Sequence, residues 1–485
     1  MKPKKIGIIG SGIAGLASAV RLASKGHIVT VFEKEAVLGG KMGFINEKGY
    51  RFDTGPSLFT QPYLIDDILK CSNSNEKFSY EQLQISCKYF WEDGTVFSAF
   101  ENKQQLGDEL KKVFPEDKNS FLKRLNKAEE MYNLIGDIFI EKPLNKLSTW
   151  FNKDVFKAIP QMPKFKLNKT MSEANKKEFR SEKVNQIFNR FATYNGSSPY
   201  KAPAILNMIP HLELNQGTFY PKGGLRSIPE TLIKEGERLG VSYKTQEGVD
   251  QILTTSKKVT GIKTGEGIYK FDIVISNADV HSTYKKLLKE VPAPKKVLNQ
   301  ERSSSGIIFY WGVKKEFPEL ELHNIFFSET YKEEFKALFE TGSIIEDPTV
   351  YLNISSKVDQ NDSPKGAENW FILINAPANK GQDWDVLIKQ VRKNVIKKLE
   401  RILNQEIEKH IDFEAVLDPR IIERKTSSYQ GSLYGSSSNN KYAAFLRHTN
   451  NHKNIEGLYF CGGSVHPGGG IPLCLNSAKI VSNLI

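Results

Sequence analysis

The chain has 485 residues, enough for two or three domains with sizeable cores, and its 39% hydrophobic and 26% charged content excludes wholesale disorder. The net charge of +12 is unevenly spread: between Lys142 and Lys177, nine lysines stand against only Asp154 and Glu173, and no nucleic-acid-binding motif accompanies them. No run of about 18 unbroken apolar residues could cross a bilayer, and Cys71, Cys87, Cys461 and Cys474 lack zinc spacing, so no metal is expected and the thiols read as reduced core cysteines of a cytoplasmic protein.

In chain order, Lys5–Ile9 reads as a buried parallel strand, and Gly10-Ser11-Gly12-Ile13-Ala14-Gly15 follows at once. Gly10 suits a tight turn, Gly12 lets the backbone approach a pyrophosphate, and Gly15 lets a helix pack on the strand. The Ala/Leu-rich stretch Ala14–Lys25 is that helix; its N-terminus, at Ile13 and Ala14, offers free N–H groups to phosphate. Ile28–Phe32 is a second strand, and Glu33 and Lys34 close it where an acid can meet a ribose 2′-OH. Gly39, Gly40 and Lys41 then suit a diphosphate wrap, and Gly55-Pro56-Ser57 suits a loop along a flat ring.

The pattern changes from about Lys77. Cys87–Phe97 reads as two short strands, and Lys103–Asp137 as helix broken at Pro115. The lysine-rich stretch is interleaved with Trp150, Phe151, Phe156, Ile159 and Phe165, which suits a surface lying on anionic lipid. Val184–Ala204 is a helix running into a Gly/Ser/Pro bend, with Arg190, Tyr194 and Asn195 as polar members of an apolar stretch. Glycine-rich chemistry returns at Tyr220-Pro221-Lys222-Gly223-Gly224, and Pro229–Leu239 is a helix. Val249 is placed for its backbone to meet an adenine edge. Phe271–Ser276 is a strand ending in Asn277-Ala278-Asp279, a second polar turn on the same sheet.

Gly306–Val313, Thr349–Ile354 and Trp370–Ala376 are aromatic-rich strands that suit either ordinary core or the wall of an apolar tunnel; Trp384–Leu403 is an amphipathic helix. Gly431–Asn440 reads as mobile. The chain closes with Gly462, Gly463, His466 and Gly470-Ile471-Pro472 before a last helix, bringing a second helix N-terminus to a ligand. Glycine sites spread over the whole length point to a long, permanently held dinucleotide, FAD, which carries the redox chemistry itself. The fold class expected is α/β, with residues 1-76, 216-284 and 441-485 as a Rossmann-like FAD-binding domain. Residues 77-215 and 285-440 form an inserted α+β domain for substrate and membrane contact.

The N-terminal block through Ser57, the Tyr220–Gly224 element, the Ser276–Asp279 turn and the His466–Pro472 tail resemble the carotenoid desaturase branch of the FAD-dependent amine-oxidase-like flavoproteins, the phytoene desaturase family. Arg190–Ala204 and Cys461–His466 are more similar to the 1-hydroxycarotenoid 3,4-desaturases within it. Where many relatives end the last strand in Gly-Asp, this chain has Gly462-Gly463. The resemblance implies desaturation of a C3–C4 bond in a substrate such as 1′-hydroxy-γ-carotene by hydride transfer to flavin, with oxygen or a quinone as acceptor. It also implies peripheral association with the inner face of the membrane. Arg190, Tyr194 and His466 are the polar candidates near the ring. A phytoene-type desaturase, a redox-neutral carotenoid isomerase and a prenyl-lipid carrier are the alternatives.

Overall fold

The computed structural model describes residues 2–144, 149, 155, 160, 161, 166, 168–440 and 442–485. Most of the lysine-rich aromatic stretch expected on lipid, including Lys146, Lys153 and Lys157, lies outside the described residues.

Two sheets organise the molecule. The first is parallel and has five strands in the order Leu458–Phe460, Ile273–Ser276, Lys5–Ile9, Ile28–Phe32 and Ser242–Lys244. Its central strands, Lys5–Ile9 and Ile273–Ser276, read as apolar runs because both faces are covered. On one face Ile6, Ile8, Val29, Val31 and Ile275 pack with Leu22 of the Ile13–Ala23 helix and Val481 of the Ile471–Leu484 helix. On the other, Ile9, Phe32, Val274 and Phe460 pack on Ile252, Val259 and Ile262 of an antiparallel meander. Gly7 is required there: a Cβ would lie 2.8 Å from the Phe271 ring.

The second sheet has seven strands, in the order Ile411–Leu417, Ser305–Val313, Glu368–Ala376, Val350–Ile354, His323–Phe326, Ile85–Phe90 and Val96–Phe100. All neighbours are antiparallel except His323–Phe326 beside Ile85–Phe90. Side chains alternate across its pleat. Phe309, Trp311, Ile372 and Ile374 pack under Val391, Val395 and Leu399 of the Trp384–Leu403 helix. That helix is capped by Asp383, which accepts from the Val386 N–H, and ends at Asn404 in the left-handed region at φ 51°. Ile308, Tyr310, Phe371, Leu373, Tyr351 and His323 face the opposite way and line a cavity. The aromatic strands are therefore both core and wall, one face each.

The Gly431–Asn440 stretch, expected to be mobile, is held in place. Ser432, Ser436, Ser437 and Ser438 are buried. Ser305 Oγ donates to the Gly431 carbonyl at 2.6 Å, the Ser303 N–H to that of Gly435 at 2.9 Å, and the Ser438 N–H to Ser197 Oγ at 2.8 Å. Small polar residues let this segment pair with the 301–305 strand entry and the 196–198 bend, contacts too distant in sequence to be read from composition.

Candidate functional site

The first glycine cluster forms as its spacing requires. Gly10 has φ +93°, and a Cβ on Gly15 would lie 2.3 Å from the Gly10 carbonyl oxygen, so helix and strand close only on glycine. A Cβ on Gly12 would meet Asn277 Oδ1 at 2.7 Å, and one on Gly40 would meet Gly12 Cα at 3.0 Å. The Ile13–Ala23 helix has no side-chain cap, so its first N–H groups stay open. Glu33 is buried beside them. Its Oε2 accepts from the Ser11 N–H at 2.9 Å and from Ser11 Oγ at 2.7 Å; its Oε1 accepts from the Glu35 N–H at 3.1 Å. The loop thus fixes the carboxylate in the cavity wall, with further acceptor capacity on Oε1.

Lys41 is not a free diphosphate arm. Its Nζ donates to the Leu433 carbonyl at 2.9 Å, tying the first glycine cluster to the Gly/Ser stretch, and burial pushes its ammonium below the ordinary lysine range against the pull of Asp279. Gly55 sits against the Lys41 carbonyl, where a Cβ would come within 2.0 Å. Asp53 accepts from the Leu225 and Arg226 N–H groups at 2.8 and 3.1 Å, docking the ring loop on the Tyr220–Gly224 element. From the other end of the chain, Gly470 at φ +105° opens the Ile471–Leu484 helix, again with no side-chain cap.

These elements enclose one cavity of about 1550 Å³. Gly10, Gly12, Ile13, Ala14, Glu33, Lys34, Gly40, Lys41, Gly55, Pro56, Ser57, Val249, Asn277, Gly462, Gly463, Gly470, Ile471 and Pro472 all line it; Gly15 stands behind the wall as a packing residue. Arg190 and Tyr194 line it too. His466 does not: its Nε2 meets the Lys142 carbonyl at 2.9 Å, and burial pushes its pKa down to about 4.

Sequence reading missed several members. Arg447 is buried in the cavity wall, donating to the carbonyls of Ser436 at 2.9 Å, Tyr434 at 3.3 Å and Gly463 at 3.4 Å, and pairing with no carboxylate among the described residues. Burial and nearby Arg302 push it down to about 10. Arg302 itself pairs with Asp279 at 2.6 Å. Glu213, 1% exposed, binds Arg190 and Tyr194 through its two carboxylate oxygens, while Arg190 donates to the Tyr89 hydroxyl at 2.6 Å. Burial, the largest single influence, opposes charge on Arg190, but the Glu213 carboxylate together with Tyr89, Tyr194 and Cys87 outweighs it and holds the guanidinium well above its ordinary range. Burial first, and the Glu213 carboxylate after it, lift Tyr194 and Tyr89 far above the usual tyrosine range, so both stay protonated donors. Cys461, beside the second glycine cluster, is an inert thiol pushed up to about 12 by burial.

Two open helix N-termini, glycines where no side chain fits and a buried carboxylate beside the first of them suit a dinucleotide diphosphate. A family model described as flavin containing amine oxidoreductase matches residues 13–485. The chain belongs to that family. It is 51% identical over 483 residues, 99% of each chain, to a 1-hydroxycarotenoid 3,4-desaturase of Flavobacterium sp. (strain P99-3). It is 30% identical over 494 residues to a 4,4'-diaponeurosporene oxygenase of Staphylococcus haemolyticus (strain JCSC1435), covering all of this chain and 97% of the relative. Among solved structures, an oxidoreductase from Methanosarcina mazei matches with TM-score 0.64 at 16% identity over 99% of both chains, which supports the fold. The family's cofactor is FAD, and the residues found here fit it.

Proposed function

We propose that the protein is an FAD-dependent desaturase that introduces the C3–C4 double bond into a 1-hydroxycarotenoid such as 1′-hydroxy-γ-carotene. The observation that carries this reading is the 51% identity, sustained over 99% of both chains, to a 1-hydroxycarotenoid 3,4-desaturase. The cavity supports it, running from the two open helix ends to a wall of Ile308, Tyr310, Phe371 and Leu373 suited to a polyene.

The glycine residues lining the cavity, with Glu33, Lys34, Ile13, Ala14, Val249, Asn277 and the Ile471–Pro472 helix start, hold the cofactor. The segments numbered 1-76, 216-284 and 441-485 form its domain, and 77-215 with 285-440 form the substrate domain. Bound FAD supplies the two-electron acceptor for a hydride leaving an allylic carbon. The chain then has three tasks. The aromatic wall aligns the polyene and excludes water. Arg190 and Glu213 neutralise each other, so no net charge opposes the cation that develops along the polyene. Glu213, with Tyr194 bonded to it, takes the proton lost from the neighbouring carbon; the delocalised cation is acidic enough for a well-paired carboxylate to suffice.

Phe139, Ile140, Leu206 and Met208 form the cavity's apolar flank where the chain enters its lysine-rich aromatic stretch. That neighbourhood supports entry from a lipid surface, with oxygen or a quinone regenerating the cofactor. Among the described residues no helix is long and apolar enough to cross a membrane. Changing Lys146, Lys153 and Lys157 together to Glu should weaken binding to anionic liposomes at least tenfold, at about 1 kcal/mol per lysine lost; unchanged binding would sink the lipid assignment.

The function is tested by expressing the chain in hosts that accumulate γ-carotene or its 1′-hydroxy derivative, then recording pigment mass and visible spectrum. Loss of two hydrogens with a red shift in the hydroxylated host supports the proposal. An altered isomer pattern at unchanged mass would replace it with an isomerase.

A further inference from the structure

The substrate end of the cavity contains one polar group with nothing to bind. Buried side-chain atoms without a hydrogen-bond partner include Tyr50 Oη, Thr218 Oγ1, Trp311 Nε1 and His323 Nε2, and of the residues concerned only His323 lines the cavity among those described. His323 is 2% exposed. Its Nδ1 receives the Asn353 side-chain amide at 3.2 Å and the Tyr351 hydroxyl at 2.8 Å. The amide nitrogen can only donate, so Nδ1 accepts and the ring proton resides on Nε2. Burial, with Arg190 nearby, keeps the ring neutral. Nε2–H is therefore a fixed, desolvated donor, and a buried donor left without an acceptor costs stability that a ligand oxygen bound there would recover.

Its position relative to the chemistry is also set. Tyr351 receives the Ser57 hydroxyl at 3.0 Å, and Ser57 belongs to the Gly55-Pro56-Ser57 loop assigned to the flavin ring. A relay of Ser57, Tyr351 and His323 thus links the ring loop to the unpartnered donor. In a 1-hydroxycarotenoid the hydroxyl sits on C1, two carbon–carbon bonds from C3. A group that binds this oxygen must lie close to the ring if C3–C4 is to be oxidised, and the relay meets that requirement.

We propose that His323 Nε2–H, oriented by Tyr351 and Asn353, is the receptor for the tertiary hydroxyl of the substrate and so selects which end of the polyene, and which bond, reaches the flavin. The inference rests on the desaturase reading given above. His323 acts as a positioning residue. The Arg190–Glu213–Tyr194 cluster is a poorer candidate for this task because its members already satisfy one another.

The test uses purified holoenzyme with two pigments, 1′-hydroxy-γ-carotene and γ-carotene. His323→Asn keeps an acceptor where Nδ1 stood but has no atom at the Nε2 position; His323→Gln returns an amide N–H there. With flavin content unchanged, His323→Asn should lose about tenfold in kcat/KM on the hydroxylated pigment and little on γ-carotene. His323→Gln should restore most of the preference. A loss equal on both pigments, or an unchanged preference, overturns the receptor while leaving the desaturase in place. If wild-type enzyme converts neither pigment, the function fails first and the receptor with it. Should His323→Asn not fold, dissociation constants for both pigments on wild-type holoenzyme, read by quenching of tryptophan fluorescence, decide: about tenfold tighter binding of the hydroxylated pigment supports the receptor, and equal binding overturns it.

Discussion

The two ends of the cavity are built by opposite means. The dinucleotide end uses backbone: open N–H groups of the Ile13–Ala23 and Ile471–Leu484 helices, and glycines at positions where a Cβ would strike neighbouring atoms. The substrate end uses side chains: Arg190 with Glu213, Tyr194 and Tyr89, and His323 with Tyr351 and Asn353. A backbone site tolerates almost no substitution at its glycines but is indifferent to chemistry elsewhere. A side-chain site can be altered residue by residue, and this is where a family sharing one cofactor can change its substrate.

The hardest break in this contrast should come at Gly15. Gly15→Val puts a branched side chain against the Gly10 carbonyl oxygen, and we expect protein without bound flavin, read from the absorbance of the purified chain. The next is Glu213→Gln. It strands Arg190 as a buried cation and should cost about 3–5 kcal/mol of stability by chemical denaturation, together with most of the turnover. Flavin should nevertheless stay bound in the folded fraction. If flavin is lost in proportion to turnover, the two ends are one unit and the contrast fails.

Acid sharpens the comparison further. His323 is pushed down to about 3 and His448 and His466 to about 4, chiefly by burial. A histidine whose folded pKa lies below its unfolded value near 6.5 takes up protons more readily when unfolded. Stability is therefore full above pH 6.5 and is lost as pH falls towards 4. Between pH 7 and 5 the cost is about 2 kcal/mol for each histidine, measured by denaturant midpoint. His323→Gln should remove only its own share of that slope. The smallest effect expected is from Tyr194→Phe, which deletes one donor to Glu213 and should cost about 1 kcal/mol. His466→Ala with full turnover would agree with its place outside the cavity.

How much of this could be read in advance follows from the same division. Gly10 to Glu33 lie within one strand–helix–strand unit, so spacing alone carries the geometry, and the second cluster is as compact from Gly462 to Pro472. Glu213 and Arg190 meet only because the 196–210 segment turns back; nothing local marks Glu213 as the partner. His323 and Tyr351 lie on paired strands, at Ile325 opposite Tyr351 in the register, and their place on the cavity face follows from strand alternation once the pairing is known. The sign that was present was a run of polar side chains, His323 and Asn324 on one strand and Tyr351 and Asn353 on the other, among buried apolar residues. His466 misled because a histidine beside a glycine cluster suggests chemistry, whereas its ring turns to the Lys142 carbonyl.

The parallel sheet places its last strand, Leu458–Phe460, beside Ile273–Ser276, and the Ile471–Leu484 helix against the helix that follows the first strand. This has a consequence for how the protein is made. A nascent chain that has not yet reached Leu458 offers half a cofactor site, and its sheet ends at Ile273–Ser276 on an unpaired edge. Cofactor loading must wait until the Ile471–Leu484 helix has been made and folded, so in a flavin-starved cell a chain extended past that helix, rather than any shorter fragment, is the species that chaperones and proteases compete for.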